Sequence, residues 1–254
     1  GVKIMKRGQI TTFAIVGIVI VAAVILVMYL RGQFFFGPVT PENLGTKLDA
    51  VGEHIKTCIE ETAPDFIKRI GLQGGHLSTP EGTFRMRNDV PISYLCYNIP
   101  DEKTCLNRML LRSEMEEELA SAIDTGLNSC INLNQFGRGY EISSGRRKTT
   151  VSIGEFNVIV EVNLPVTLRK GDVDVKEDMF TATFDYPLGK LYETSQDVIN
   201  VEAEFGEFDQ LGYMLDKRGQ IIIEKDRPYP DKIYVLKAKN NDYVFQFFVE
   251  GEPN

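Results

Sequence analysis

The run from Ile10 to Leu30 carries no charge and opens with its two threonines, Thr11 and Thr12. At about 1.5 Å of rise per residue, a helix of this length reaches about 30 Å, the hydrocarbon thickness of a bilayer. The pattern predicts a transmembrane helix over residues 9–31. It is too long for the apolar core of a cleavable secretory signal, and no Ala-x-Ala site follows it.

Beyond the run the apolar positions take up amphipathic spacing. Thr40, Pro41 and Glu42 read as a helix start, and Leu44, Leu48, Val51, Ile55 and Ile59 recur on one face. Pro64 is expected to kink or restart this helix, and Gly71 to end it before a loop holding Gly74 and Gly75. A second helix is predicted from Ser113, whose hydroxyl would cap the Glu116 amide. Met115, Leu119, Ile123 and Leu127 form its apolar face, and Cys130 stands at its end.

From Val151 the period shortens to two. Phe156, Val158, Val160, Val162 and Leu164 alternate with polar residues and predict one face of a strand. Gly171 and Asp172 mark a turn into a strand near Met179 to Tyr186, and Asn240 with Asn241 a hairpin between Ile233–Lys239 and Tyr243–Val249. A helix beginning near Pro187, with Leu188, Leu191, Tyr192, Ser195, Val198 and Ile199 at helical intervals, is expected to cover the sheet.

The fold class expected is α+β: an N-terminal transmembrane helix, a helical disulfide-linked region, and a mainly antiparallel β region with one covering helix. The divisions are a basic cytoplasmic leader at 1–8, the span at 9–31, a helical extracytoplasmic region at 32–140 and a β-rich one at 141–254.

Charge sets the orientation. Lys3, Lys6 and Arg7 precede the span and Arg31 alone follows closely, so the N-terminus is expected inside and the remainder outside. The first 31 residues hold four basic side chains and no acid, which leaves a formal charge of −12 on the rest. Such a surface argues against nucleic acid as a partner and suits a solvated exterior; the partners expected are membrane lipid around the apolar run and, outside, other envelope proteins.

Four cysteines in an oxidising compartment predict two disulfides among three possible pairings. Cys58 and Cys130 each end or interrupt an amphipathic helix, which favours joining them and leaves Cys96 to close a small loop with Cys105 around Pro100. Cys-x-x-Cys spacing is missing, so a four-cysteine zinc site is not expected.

No catalytic or metal residue is assigned, and no cofactor. His54 lies four residues before Cys58, the spacing of a Cys/His nucleophile pair, but a disulfide would consume the thiol. Asp124, Thr125 and Gly126 spell an aspartic-protease triplet in a helical context with no second copy. Gly71, Gly74 and Gly75 lack the strand, helix and lysine of a phosphate loop.

The most specific motif is Lys6, Arg7, Gly8, Gln9, Ile10, Thr11, Thr12 and Phe13 followed by the apolar run. It resembles the class III signal of archaeal type IV pilin-like proteins. That resemblance implies cutting between Gly8 and Gln9 by a prepilin-type peptidase, and a capacity for self-assembly. Phe13 departs from the glutamate many pilins carry there, and Gly37 with Pro38 from their continuous rod. The outer region, with Cys58, the Gly71–Gly75 loop, Cys130 and Pro187 to Tyr192, resembles single-span surface proteins of small-genome archaea.

The function expected is a membrane-anchored extracytoplasmic structural or binding protein, a filament or envelope component. The rival is a membrane-tethered hydrolase using carboxylates.

Overall fold

The computed structural model describes residues 15–27, 41–98 and 105–251. Its first helix, α1, covers 15–27, and every residue in it is exposed. Among the described residues no helix is long and apolar enough to cross a membrane. This corrects the transmembrane helix expected over 9–31. At about 1.5 Å per residue α1 extends about 20 Å, short of the roughly 30 Å of hydrocarbon. Apolar composition says where side chains prefer to sit, whereas a span also needs an unbroken helix of sufficient length. The ends of the apolar run, the leader at 1–8, the processing residues Lys6, Arg7, Gly8 and Gln9, and the stretch Phe34 to Pro38 lie outside the described residues.

Helix α2 (Pro41–Leu72) is the longest element. It runs through Pro64 without restarting. Leu44, Leu48, Val51, Ile55, Ile59, Ala63, Ile67 and Ile70 are all buried, so apolar packing on both sides of the proline holds the helix across the lost backbone bond. The chain then turns sharply. The Gly75 N–H donates to the Ile70 carbonyl at 2.8 Å, and Gly74 and Gly75 have φ of 75° and 90°, a region that favours glycine.

Helix α3 (Arg112–Leu127) begins one residue earlier than predicted and is capped differently. The N–H of Leu111 donates to the Glu114 carboxylate at 2.7 Å, so the reciprocal acid is Glu114. Glu116 instead accepts the N–H of Ile153 at 2.7 Å, and Glu118 that of Leu77 at 2.7 Å. The acidic run thus ties α3 to its surroundings as well as complementing its dipole.

Among the described residues ten strands form two sheets. The first contains β4 (Glu141–Ser144), β5 (Lys148–Ile153), β6 (Val158–Lys170) and β7 (Val173–Phe184). β6 pairs with β7 along one side, and with β5 and then β4 along the other, all antiparallel. Val158, Val160, Val162, Leu164, Val166 and Leu168 face the core, as period-two alternation requires. Phe156, read as part of that face, precedes the strand and is 61 % exposed.

The second sheet runs β1 (Phe84–Arg87), β2 (Val90–Asn98), β10 (Val244–Val249), β9 (Lys232–Ala238), β8 (Ile221–Asp226), with β3 (Cys105–Asn107) also on β2. β2 and β10 pair in parallel, and the other pairs are antiparallel. Three strands therefore come from the region expected to be helical. They join the end of the chain because Ile92, Leu95 and Cys96 bury where Phe245, Phe247 and Phe248 do, a long-range match that local periodicity does not encode.

Helix α2 touches β6 and β7 of one sheet and β10 of the other, and α3 lies on α2 and β5. Helix α4 (Leu188–Phe205) covers the second sheet through Leu188, Leu191, Tyr192, Ser195, Val198 and Ile199, and the short α5 (Gln210–Asp216) sits by β8. Where α4 ends, Glu202 is almost wholly buried. It accepts hydrogen bonds from the Tyr234 hydroxyl, from Lys232 at 2.7 Å and from the Phe208 N–H at 3.0 Å, which together satisfy its charge.

Cys58 is bonded to Cys130 with Cα atoms 5.7 Å apart, and Cys96 to Cys105 with Cα atoms 5.3 Å apart. The first bridge spans 72 residues and the second 9. Replacing Cys58 and Cys130 together by alanine is expected to lower stability by about 4 kcal/mol, and the other pair by about 2.5 kcal/mol. Urea denaturation of the two double variants checks this, and equal midpoints would contradict it.

Candidate functional site

The turn that ends α2 builds the most chemically distinctive surface among the described residues. A Cβ on Gly74 would meet the Gln246 carbonyl at 3.1 Å and Ser93 Cβ at 3.3 Å, so glycine allows both the backbone conformation and the close approach. The Ser93 N–H donates to the Gln73 carbonyl at 3.2 Å. Leu77 is tied to Glu118 on α3, and this brings His76 over the gap between β2 and α3.

A cleft of about 280 Å³ results, lined by His76, Ser78, Thr83, Ser93, Arg108 and Glu118 among others. Burial lowers the His76 pKa below 6.5. Glu118 opposes that shift, Arg108 adds to it, and Glu114 opposes it more weakly. The imidazole is consequently neutral at physiological pH. Ser93 is 3 % exposed, and its Oγ is buried with no hydrogen-bond partner. Arg108 enters no ion pair among the described residues and stacks 5.2 Å above the Tyr97 ring.

Tyr94, also on the cleft wall, donates its hydroxyl to Asp231 at 2.7 Å, and Asp231 takes Arg85 at 2.6 Å. Burial and the carboxylate push the Tyr94 pKa up, so it remains a protonated donor committed to that bond.

A longer groove of about 770 Å³ adjoins the cleft, and Ser78 and Glu118 line both. Phe66 from α2, Leu77, Leu110 and Ala122 supply its apolar surface, while Glu114 and Glu117 line it as acids. Gly126 sets its depth. A Cβ there would come 2.7 Å from Thr62 Cγ2 and 3.0 Å from Phe66, so only glycine lets α3 lie this close to α2. Two further hollows, about 440 and 590 Å³, flank Asn240 and Asn241. Polar groups there are already bonded: Tyr243 donates to the Ile67 carbonyl at 2.7 Å, and Asn241 to that of Asp185 at 3.2 Å.

The residues weighed for chemistry from sequence do not converge. His54 Nε2 lies 3.9 Å from Cys58 Sγ, but that sulfur is in the bridge to Cys130 and no thiolate is available. Asp124 is held by Arg147 at 2.8 Å and Thr149 at 2.7 Å, which keeps its carboxyl below the usual range despite partial burial. It braces α3 against the start of β5 and faces no second carboxylate in those bonds. Among the described residues no group of three or more His, Cys, Asp or Glu could hold a metal.

Sequence reading passed over Ser93, Arg108 and Glu118 as a group because they sit on β2, after β3 and on α3. The signal present was the pair of glycines before His76, which placed the imidazole in a turn but not what it would face.

The His76 shift has a consequence for stability. Its folded pKa lies below the unfolded 6.5, so the unfolded chain takes up the proton first. This contribution to stability is full above pH 6.5 and is lost as pH falls through the folded value. His76→Gln is expected to flatten that part of the profile. Urea midpoints at about pH 7.5 and about pH 5.5 should differ more for the natural chain than for the variant; identical pH dependence would contradict the burial argument. Compared with known proteins, the chain matches no family model, no curated protein and no solved structure.

Proposed function

We propose that this protein is a non-catalytic binding protein of the cell envelope, with its α+β domain outside the membrane and its apolar N-terminal segment holding it at the lipid. The observation that carries this reading is the exposure of α1, where Ile15, Ile18, Val21 and Ile25 are all more than half exposed. A contiguous apolar surface of this kind requires an apolar environment. Attachment here means burial of that surface in lipid.

Supporting the extracytoplasmic placement, all four cysteines are paired and no cysteine is free. Bridges of this kind persist where the compartment is oxidising. Supporting the binding role, the groove along α3 offers apolar walls with acids along it, and the carboxylates of α3 are largely committed to holding the fold. The leader Lys6, Arg7, Gly8 and Gln9 fits processing by a prepilin-type peptidase.

Two measurements test it. Protease added to intact cells should digest the domain while the chain stays in the alkali-washed membrane fraction; a chain that is soluble, and protected until lysis, would sink the reading. Intact mass should show a mature chain beginning at Gln9, and a chain still carrying Lys6 and Arg7 would remove the processing step.

A further inference from the structure

Helix α3 turns one face toward the longer groove. Glu114, Glu117, Glu118, Ser121, Ala122 and Thr125 line it, and steps of three and four residues place them on a single stripe. That stripe extends about 17 Å, three helical turns. Carboxylates occupy its first half and small side chains its second, where Gly126 already lets Phe66 of α2 lie close. Phe66, Leu77 and Leu110 flank it as half-buried apolar walls.

Charge gives the groove a direction. At the start of α3, Glu118 accepts the Leu77 N–H and Glu114 that of Leu111, while Glu117 is exposed. Among the described residues none of the three enters an ion pair. Toward the other end the cation is Arg69, stacked 5.0 Å over the Phe66 ring. Arg108 lies past the start of α3, in the cleft. A helix laid antiparallel to α3 matches this order. Its first turn, where its own dipole favours acids, meets Arg69, and its last turn, which favours lysine and arginine, meets the three glutamates. The small side chains of Ser121, Ala122 and Thr125 leave room for the axes to approach to the roughly 8–10 Å of packed helices.

We propose that this groove receives one amphipathic helix of a partner protein, antiparallel to α3, with its apolar stripe on Phe66, Leu77, Leu110 and Ala122 and its basic last turn on Glu114, Glu117 and Glu118. An amphipathic helix seated in an apolar groove is a recurring mode of recognition. This deepens the binding role proposed above and does not depend on attachment to lipid.

The test uses the full oxidised chain in a non-ionic detergent and two labelled synthetic helices of about four turns. Both carry one leucine stripe, with a side-chain staple on the opposite face to keep them helical. One has glutamates in its first turn and lysines in its last; its twin, of the same composition, has them exchanged. Equal net charge and composition cancel both partition into micelles and general attraction to an acidic domain. Fluorescence anisotropy should show the first bound at least about tenfold more tightly than the twin. Glu117→Lys should shrink that preference to about threefold or less. Ser121→Trp should fill the groove and abolish binding with the melting temperature unchanged, since Ser121 is exposed. Equal affinity for the twins, no binding of either, a preference untouched by Glu117→Lys, or binding that survives Ser121→Trp overturns the proposal. So does self-association of the chain that Ser121→Trp abolishes, which would make a second copy the occupant. Each of these failures leaves the membrane fractionation untouched, so the two readings fall separately.

Discussion

Helix α2 buries one apolar stripe, from Leu44 to Ile70, against strands of both sheets and against α3. Each fully buried aliphatic side chain contributes about 1.5–3 kcal/mol relative to exposure, so this stripe is the largest single source of cohesion between layers that share no strand. The bond from Cys58 to Cys130 pins the same helix to the end of α3. Where α2 stops, at Leu72, the chain must reverse within a few residues to reach the second sheet. That constraint puts Gly74 against Ser93 and places His76 where it is.

Helix α3 carries a second layer of constraint through charge. Glu116 receives a backbone N–H from β5, Glu118 one from the loop after α2, and Asp124 the side chains of Arg147 and Thr149. Hydrogen bonds to ionised carboxylates are stronger than neutral ones, and they fix α3 along its length. The same arrangement leaves Glu114 and Glu117 free to line the groove, apart from the bond between Glu114 and its own helix start.

A reading based on catalysis would need a nucleophile or facing carboxylates free to act. Cys58 is bridged, Asp124 is bound to arginine, and Glu202 is enclosed by Tyr234, Lys232 and the Phe208 amide. Among the described residues one carboxylate stands apart from these: Glu177 shares a hollow with Asp49 and Glu53, and burial together with those acids and Asp178 raises its pKa.

Much of the helical content was legible in order along the chain. The apolar spacing of α2, α3 and α4, the alternation of β6 and the Asn240 turn are local patterns, set by side-chain geometry within a few residues. The cysteine pairing was partly legible, because Cys58 and Cys130 both sit on amphipathic helices. The cap at Leu111, the parallel meeting of β2 with β10 and the cleft around His76 were not. The strand pairing and the cleft join residues far apart in sequence, whereas the cap is local, Leu111 to Glu114, and departs from the expected one where Glu116 is taken by the Ile153 N–H of a distant strand. The apolar run near the start shows the reverse limit: its composition establishes that it avoids water, while the extent of unbroken helix is a property of the structure, and the described helix is too short to span a bilayer.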